Sequence, residues 1–156
     1  MILNILGTQY TLDTKSFEIY VAGCSGEPHC VGCHNPESWD FSHGEQFNMF
    51  YFKNKIHQKV EEFDNLIDNI MIFGGEPLDQ DIQSLESLLS LLKDTKKKIW
   101  MFTRYSINDV PEFVKRYCHY IKCGAYIPEL IVDDNIQYGI KLATSNQHIY
   151  KKGVDY

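Results

Sequence analysis

The sequence predicts a single α/β domain over residues 1–156, built on a parallel sheet. Three observations carry this. A length of 156 residues suits one domain, at roughly 100–200 residues each. Apolar residues make up 44% of the chain and charged residues 23%, which excludes a disordered or fibrous protein. Short apolar runs alternate with stretches of helical period, in the order strand, helix, strand, helix, strand, helix, strand. That alternation implies parallel pairing with right-handed crossovers.

The elements follow in order. Phe17 to Val21 alternates apolar and polar residues and ends at Ala22-Gly23, as a strand entering a loop does. Residues 24–43 hold Gly, Pro, Cys, His and Asn and read as a long ordered loop, a feature that is usually functional in a compact domain. Phe47, Phe50, Tyr51, Val60 and Phe63 recur near helical spacing and predict a helix over 47–63. Ile70 to Phe73 is a short apolar run stopped by Gly74-Gly75, so it reads as a buried strand. Ile82, Leu85, Leu88, Leu89 and Leu92 mark the next helix. Lys98 to Thr103 is strand-like. Ser106 and Asp109 have the spacing of a capping box for a helix through Val110, Phe113, Val114 and Tyr117. Tyr120 to Lys122 is a further strand, and residues 138–150 have late strand character. There is no internal repeat, low-complexity stretch or linker.

Several classes are excluded. No apolar run approaches the ~18–20 residues of a membrane span. The start lacks the basic and apolar regions of a secretory signal, so the expected compartment is the cytoplasm, where thiols stay reduced. A net charge of −6 disfavours binding to a phosphate backbone, so no nucleic-acid partner is expected. Lys96-Lys97-Lys98 is the basic run of the chain and reads as the solvated end of a helix, where cations suit the dipole.

Five cysteines in a reduced chain point to metal or redox chemistry. Cys24, Cys30 and Cys33 lie within ten residues. Three soft sulfur donors so placed suit an iron–sulfur cluster, and three ligands on a [4Fe–4S] cluster leave one iron open for chemistry. The spacing also admits a structural zinc site from Cys30, Cys33, Cys118 and Cys123. A redox pair at Cys30 and Cys33 fits less well, because no strand feeds a helix there. Cys118 and Cys123 read most simply as small buried hydrophobes. The cysteine loop and Gly74-Gly75-Glu76-Pro77 both follow strands. In a parallel sheet both open onto the rim where ligands bind.

The segment Cys30-Val31-Gly32-Cys33-His34-Asn35-Pro36-Glu37-Ser38-Trp39 resembles the signature of the radical S-adenosylmethionine (SAM) activases, which install glycyl radicals in anaerobic enzymes. Gly74-Gly75-Glu76-Pro77 matches their second motif, and Ile99 to Thr103 is similar to their middle strand. Ser145-Asn146-Gln147 resembles a late motif of the activators of anaerobic ribonucleotide reductase, whose compact length this chain shares. The likeness runs from about Phe17 to Gln147. Three departures stand out, the first being Asp13-Thr14-Lys15-Ser16 where the family often has Gly-Pro-Gly before the first strand. Cys24-x5-Cys30-x2-Cys33 has a longer first interval than the family's common Cys-x3-Cys-x2-Cys, and Leu142-Ala143 replaces an Arg-Gly pair.

The resemblance implies an incomplete parallel β/α barrel of the radical SAM type. It implies a [4Fe–4S] cluster on Cys24, Cys30 and Cys33, and SAM held by His34, Asn35, Gly74, Gly75, Glu76, Thr103 and Arg104. SAM would chelate the open iron, take one electron and yield a 5′-deoxyadenosyl radical. The implied partners are the large glycyl-radical subunit of an anaerobic ribonucleotide reductase and a flavodoxin-like or other low-potential electron donor. An activase for a pyruvate formate-lyase type of partner, or a non-catalytic zinc module, are the rival expectations.

Overall fold

The computed structural model describes residues 2–156. The chain begins with β1 (Asn4–Thr11), which turns back through residues 12–15 into β2 (Ser16–Ala22). After the cysteine loop come the short β3 (Glu45–Gln46) and helix α1 (Met49–Glu62). Then follow β4 (Asn69–Gly74), α2 (Ile82–Lys93), β5 (Lys98–Phe102), α3 (Glu112–Tyr117) and β6 (Tyr120–Cys123). The tail forms a small hairpin, β7 (Ile136–Gln137) and β8 (Ile140–Lys141), and ends with β9 (His148–Lys151).

Seven strands form one sheet in the order β3-β1-β2-β4-β5-β6-β9. The four central strands are parallel and adjacent in chain order, each joined to the next through a helix. This is the predicted α/β core. The sheet is nevertheless mixed, which corrects the expectation of a wholly parallel one: β1, β3 and β9 pair antiparallel at its edges.

The three helices cover one face. Phe17, Ile19 and Val21 of β2, Ile70 and Ile72 of β4, and Ile99 and Met101 of β5 pack there against Phe52, Ile56, Val60, Leu85, Leu88 and Val114. The alternate residues face the other way, as the period of two requires. Met71, Trp100 and Tyr120 stand on that second face, under Leu142 of the tail and Ile149 of β9. Trp100 and Tyr120 stack at 3.9 Å.

Two helices differ from expectation. In α1, Asn48 caps the first turn by accepting from Phe50 N and Tyr51 N, and Phe52, Ile56 and Val60 form the buried stripe. Phe50 and Tyr51 are exposed, so the expected stripe is rotated. Ser106 and Asp109 do bond each other at 2.7 Å, but they close a separate 3-10 turn. Pro111 then resets the chain and shortens α3 to six residues. No helix among the described residues is long and apolar enough to cross a membrane.

Candidate metal and ligand site

The carboxyl ends of β2, β4, β5 and β6 surround a cavity of about 370 Å³. All ten residues singled out in the sequence line it: Cys24, Cys30 and Cys33; His34 and Asn35; Gly74, Gly75 and Glu76; Thr103 and Arg104. They come from three loops, each following a parallel strand, so the rim expected from strand order exists.

The cysteine loop is a closed excursion. Gly23 N donates to Ser38 O at 2.7 Å and Cys24 N to Trp39 O at 3.2 Å, which brings its ends together. Inside it, Cys33 N donates to Cys30 O at 3.2 Å, so these two thiols leave one tight turn. The longer Cys24–Cys30 interval is tied down by His29. Its Nε2 lies 3.0 Å from Cys24 O, and its ring stacks on Trp39 at 4.1 Å.

Three half-buried thiols therefore border one cavity, and none is in a disulfide. Burial pushes the Cys24 thiol above its ordinary pKa, against the pull of the nearby Arg104 guanidinium. Among the described residues, no three Cys, His, Asp or Glu side chains are gathered closely enough to hold a metal ion as they stand. The donor set nonetheless fits a soft metal: three sulfurs on one short loop. Cys118 and Cys123 are buried in the helix-side core and line no part of the cavity. Burial pushes the Cys123 thiol up to about 12. The four-thiolate zinc site admitted by the spacing is therefore not built.

Gly74 and Gly75 fit the loop between β2 and β4. Gly74 has φ +134, and a Cβ there would fall 2.1 Å from Val21 O. A Cβ on Gly75 would fall 2.2 Å from Gly23 O and 2.6 Å from Ser38 O. The close approach that demands glycine is to the protein's own backbone. Gly75 N donates to Val21 O at 2.9 Å, and Glu76 N to Gly23 O at 2.7 Å.

Glu76 is a buried hub. Its Oε1 accepts from Leu78 N at 3.0 Å and from the Thr103 hydroxyl at 2.6 Å. Its Oε2 accepts from Arg104 N at 2.8 Å. Burial still pushes its carboxyl above the usual pKa. Thr103 is equally buried, and its Oγ1 also accepts from Tyr105 N at 3.1 Å. Both carboxylate oxygens of Glu76 are thus engaged in ordering the loops after β4 and β5.

Arg104 lies over the Tyr105 ring at 4.3 Å and reaches Asp79 at 3.2 Å. Its Nε is buried without a hydrogen-bond partner. His34 is exposed at the cavity edge. Asn35 makes no side-chain cap to the 3-10 turn it precedes, while its carbonyl accepts from Ser38 N and Oγ.

The structure adds residues the sequence reading passed over. Asp79 joins two sides of the rim by accepting from Ser25 N at 2.8 Å and from the Tyr105 hydroxyl at 2.5 Å. Gln80 Nε2 donates to Gly23 O at 3.1 Å. Tyr20, Phe73 and Phe102 form the floor, with ring centroids 5.6 and 4.2 Å apart across β2, β4 and β5. Lys122 continues that row on β6, opposite Phe102. Its ammonium donates to Gly124 O at 2.7 Å and has no ion-pair partner among the described residues. Burial lowers its pKa, which Glu76 partly offsets. In the Ser145-Asn146-Gln147 segment, already singled out in the sequence, two side chains clamp the turn after β6: Asn146 Nδ2 donates to Ala125 O at 2.9 Å, and Gln147 Nε2 to Gly124 O at 3.3 Å.

Residues 14–133 match the model of the family described as 4Fe-4S single cluster domain. The chain belongs to that family. The match spans the cysteine loop, Gly74 to Glu76 and Thr103 to Lys122, and family membership supports an iron–sulfur cluster as cofactor. Three curated relatives carry the name anaerobic ribonucleoside-triphosphate reductase-activating protein. The one from Enterobacteria phage T4 is 28% identical over 112 residues, 69% of this chain and 69% of the relative. The one from Haemophilus influenzae is 27% identical over 136 residues, covering 82% and 80%. The one from Pasteurella multocida is 29% identical over 114 residues, covering 70% and 65%.

Proposed function

We propose that this chain is a radical SAM activating enzyme of the cytoplasm. Its protein substrate would be the large glycyl-radical subunit of an anaerobic ribonucleoside-triphosphate reductase. Residues 1–156 would form one radical SAM domain whose sheet curves into an incomplete β/α barrel. The observation that carries this reading is the meeting of three separate loops, with all ten singled-out residues, on one cavity. The names of the three relatives supply the partner class.

In this reading Cys24, Cys30 and Cys33 hold the cluster. Bound there and reduced by a low-potential donor, the cluster would supply the electron that cleaves SAM to methionine and a radical able to take hydrogen from a glycine. The protein's own part is placement. The closed cysteine loop fixes the three thiolates relative to the Gly74-Gly75 backbone. Glu76 and Thr103 hold the ends of β4 and β5 in register, so that backbone groups after those strands face the cavity. The Lys122 ammonium is a part-buried donor bonded only to Gly124 O, and Arg104 Nε is a buried N–H without a hydrogen bond on a guanidinium whose other end is paired with Asp79. They suit the carboxylate of SAM, since a buried charge gains most from a hydrogen-bonded counter-charge. His34 and Asn35 lie at the edge, within the cavity lining, where they would contact the nucleoside half.

Anaerobic purification with iron and sulfide analysis tests the cofactor. Iron and sulfide with a brown colour are expected, and are lost in Cys24→Ala, Cys30→Ala and Cys33→Ala but kept in Cys118→Ala. Zinc in place of iron overturns the reading. Incubation with SAM, a reductant and the reductase subunit should then give a glycyl radical by electron paramagnetic resonance. A radical formed only on a pyruvate formate-lyase type of partner would reassign the substrate.

A further inference from the structure

The basic run at Lys96 to Lys98 is part of a larger feature. Lys98 opens β5 and His119 directly precedes β6, so this end of the sheet is opposite the cysteine cavity. At roughly 3.3 Å per residue, β5 separates the two ends by about 16 Å. A second cavity of about 200 Å³ lies here. The end of α2 contributes Lys93, the following turn Lys96 and Lys97, the end of α3 Arg116, and the tail Lys152. A neighbouring cavity shares His119 and Lys152 and adds Lys98 and Lys151. No carboxylate lines either one.

Local compensation does not account for this charge. Lys97 pairs with Asp64 at 2.7 Å, and Arg116 reaches Glu86 at 3.8 Å. Lys152 donates to the Arg116 carbonyl. The helix ends of α2 and α3 together offer about one negative charge. Lys93, Lys96, Lys98, Lys151 and Lys152 have no ion-pair partner among the described residues. In a chain of net charge −6, this is a local concentration of the opposite sign. His119 reports the same field: burial lowers its pKa, and Lys152 and Lys98 lower it further. Its Nδ1 accepts from Ile99 N at 3.0 Å, which leaves its Nε2–H for a ligand.

We propose that this cavity binds a polyphosphate group, such as the triphosphate of a nucleotide. Cations from α2, α3 and the tail converge on one small concave space. That suits a compact, highly charged anion better than a long nucleic acid, which needs an extended basic stripe. The site is independent of the cluster reading, because it shares no residue with the cysteine cavity.

The test is calorimetric titration of the purified full chain with inorganic triphosphate and, separately, with ATP at low salt. Saturable binding is expected, weakening as salt rises because exposed charges are screened. Lys96 has φ +60, where glycine is at ease. Lys93→Ala combined with Lys96→Gly therefore removes two charges without backbone strain. It should weaken binding about tenfold, the scale of a lost charge-assisted contact. Lys55→Ala combined with Lys141→Ala removes equal charge elsewhere and should leave affinity unchanged. Tighter binding of ATP than of inorganic triphosphate identifies a nucleotide as the source, and the reverse identifies the inorganic ion. Absence of saturable binding, or equal weakening in the two double variants, overturns the proposal.

Discussion

Thr103 Oγ1 donates to Glu76 Oε1 at 2.6 Å, a bond between two buried side chains that joins the end of β5 to the end of β4. The same hydroxyl oxygen accepts from Tyr105 N. Thr103→Val keeps the shape but leaves a buried carboxylate short of a donor and an amide short of an acceptor. Stability should fall by about 1–3 kcal/mol, the cost of unsatisfied buried polar groups. Thr103→Ser should restore most of it. Denaturant unfolding checks this, and an unchanged midpoint in Thr103→Val would show that the bond contributes nothing.

Asp79 gives the cysteine loop a pH dependence. Burial pushes its carboxyl up, but hydrogen bonds from Tyr105, Ser25 and Arg104 outweigh this and hold it below the usual value. A folded-state pKa below the unfolded one, about 3.9, contributes stability that is present above that value. It is lost as pH falls through the folded value. Wild type should therefore exceed Asp79→Asn in Tm at neutral pH, with the gap closing below about pH 4. A gap that stays constant across that range would contradict the assignment.

Much of this site was legible because chain order and the period of two suffice to place it. Gly74-Gly75 ends an apolar run, and parallel order puts that end beside the cysteine loop. The same logic, carried one strand further, reaches Lys122. It is two residues after Tyr120 and so shares its face at the carboxyl end of the strand, but a lone Lys carries no motif. Strand β1 was illegible for a different reason. In it only Ile5 is buried, so there is no apolar alternation to detect. Phe50 and Tyr51 misled because aromatic residues recur at helical spacing on a face that is exposed. Asp79 bonds Ser25 and Tyr105 across the rim, and His29 stacks on Trp39 inside the cysteine loop, contacts that no local pattern announces.

Gly75→Ala tests why glycine stands there. The added Cβ would meet Ser38 O, which closes the cysteine loop by accepting from Gly23 N, and Gly23 O, which accepts from Glu76 N and Gln80 Nε2. Neither can move without breaking one of these bonds. The variant should lose roughly 1–3 kcal/mol, as overpacked sites do, and Tm should fall before any ligand is added. If Tm is unchanged while SAM affinity drops, the close approach is to the ligand instead.

Lys122 separates binding from folding. Its ammonium is desolvated and bonded to a single carbonyl, Gly124 O. A buried charge with one neutral partner destabilises a fold more than an apolar side chain of similar length. Lys122→Met should therefore fold at least as well as the wild type. If the ammonium meets the carboxylate of SAM, the same variant should bind SAM at least tenfold more weakly, since a hydrogen bond to a charged group is worth about 1.5–3 kcal/mol. Iron content should stay unchanged, because Lys122 borders the same cavity as the three thiols but offers no sulfur to hold a cluster. Tm, iron content and SAM affinity of the anaerobically reconstituted variant distinguish the outcomes. A fall in Tm with SAM affinity intact would make Lys122 a structural clamp on the Gly124 turn and would remove it from the binding site.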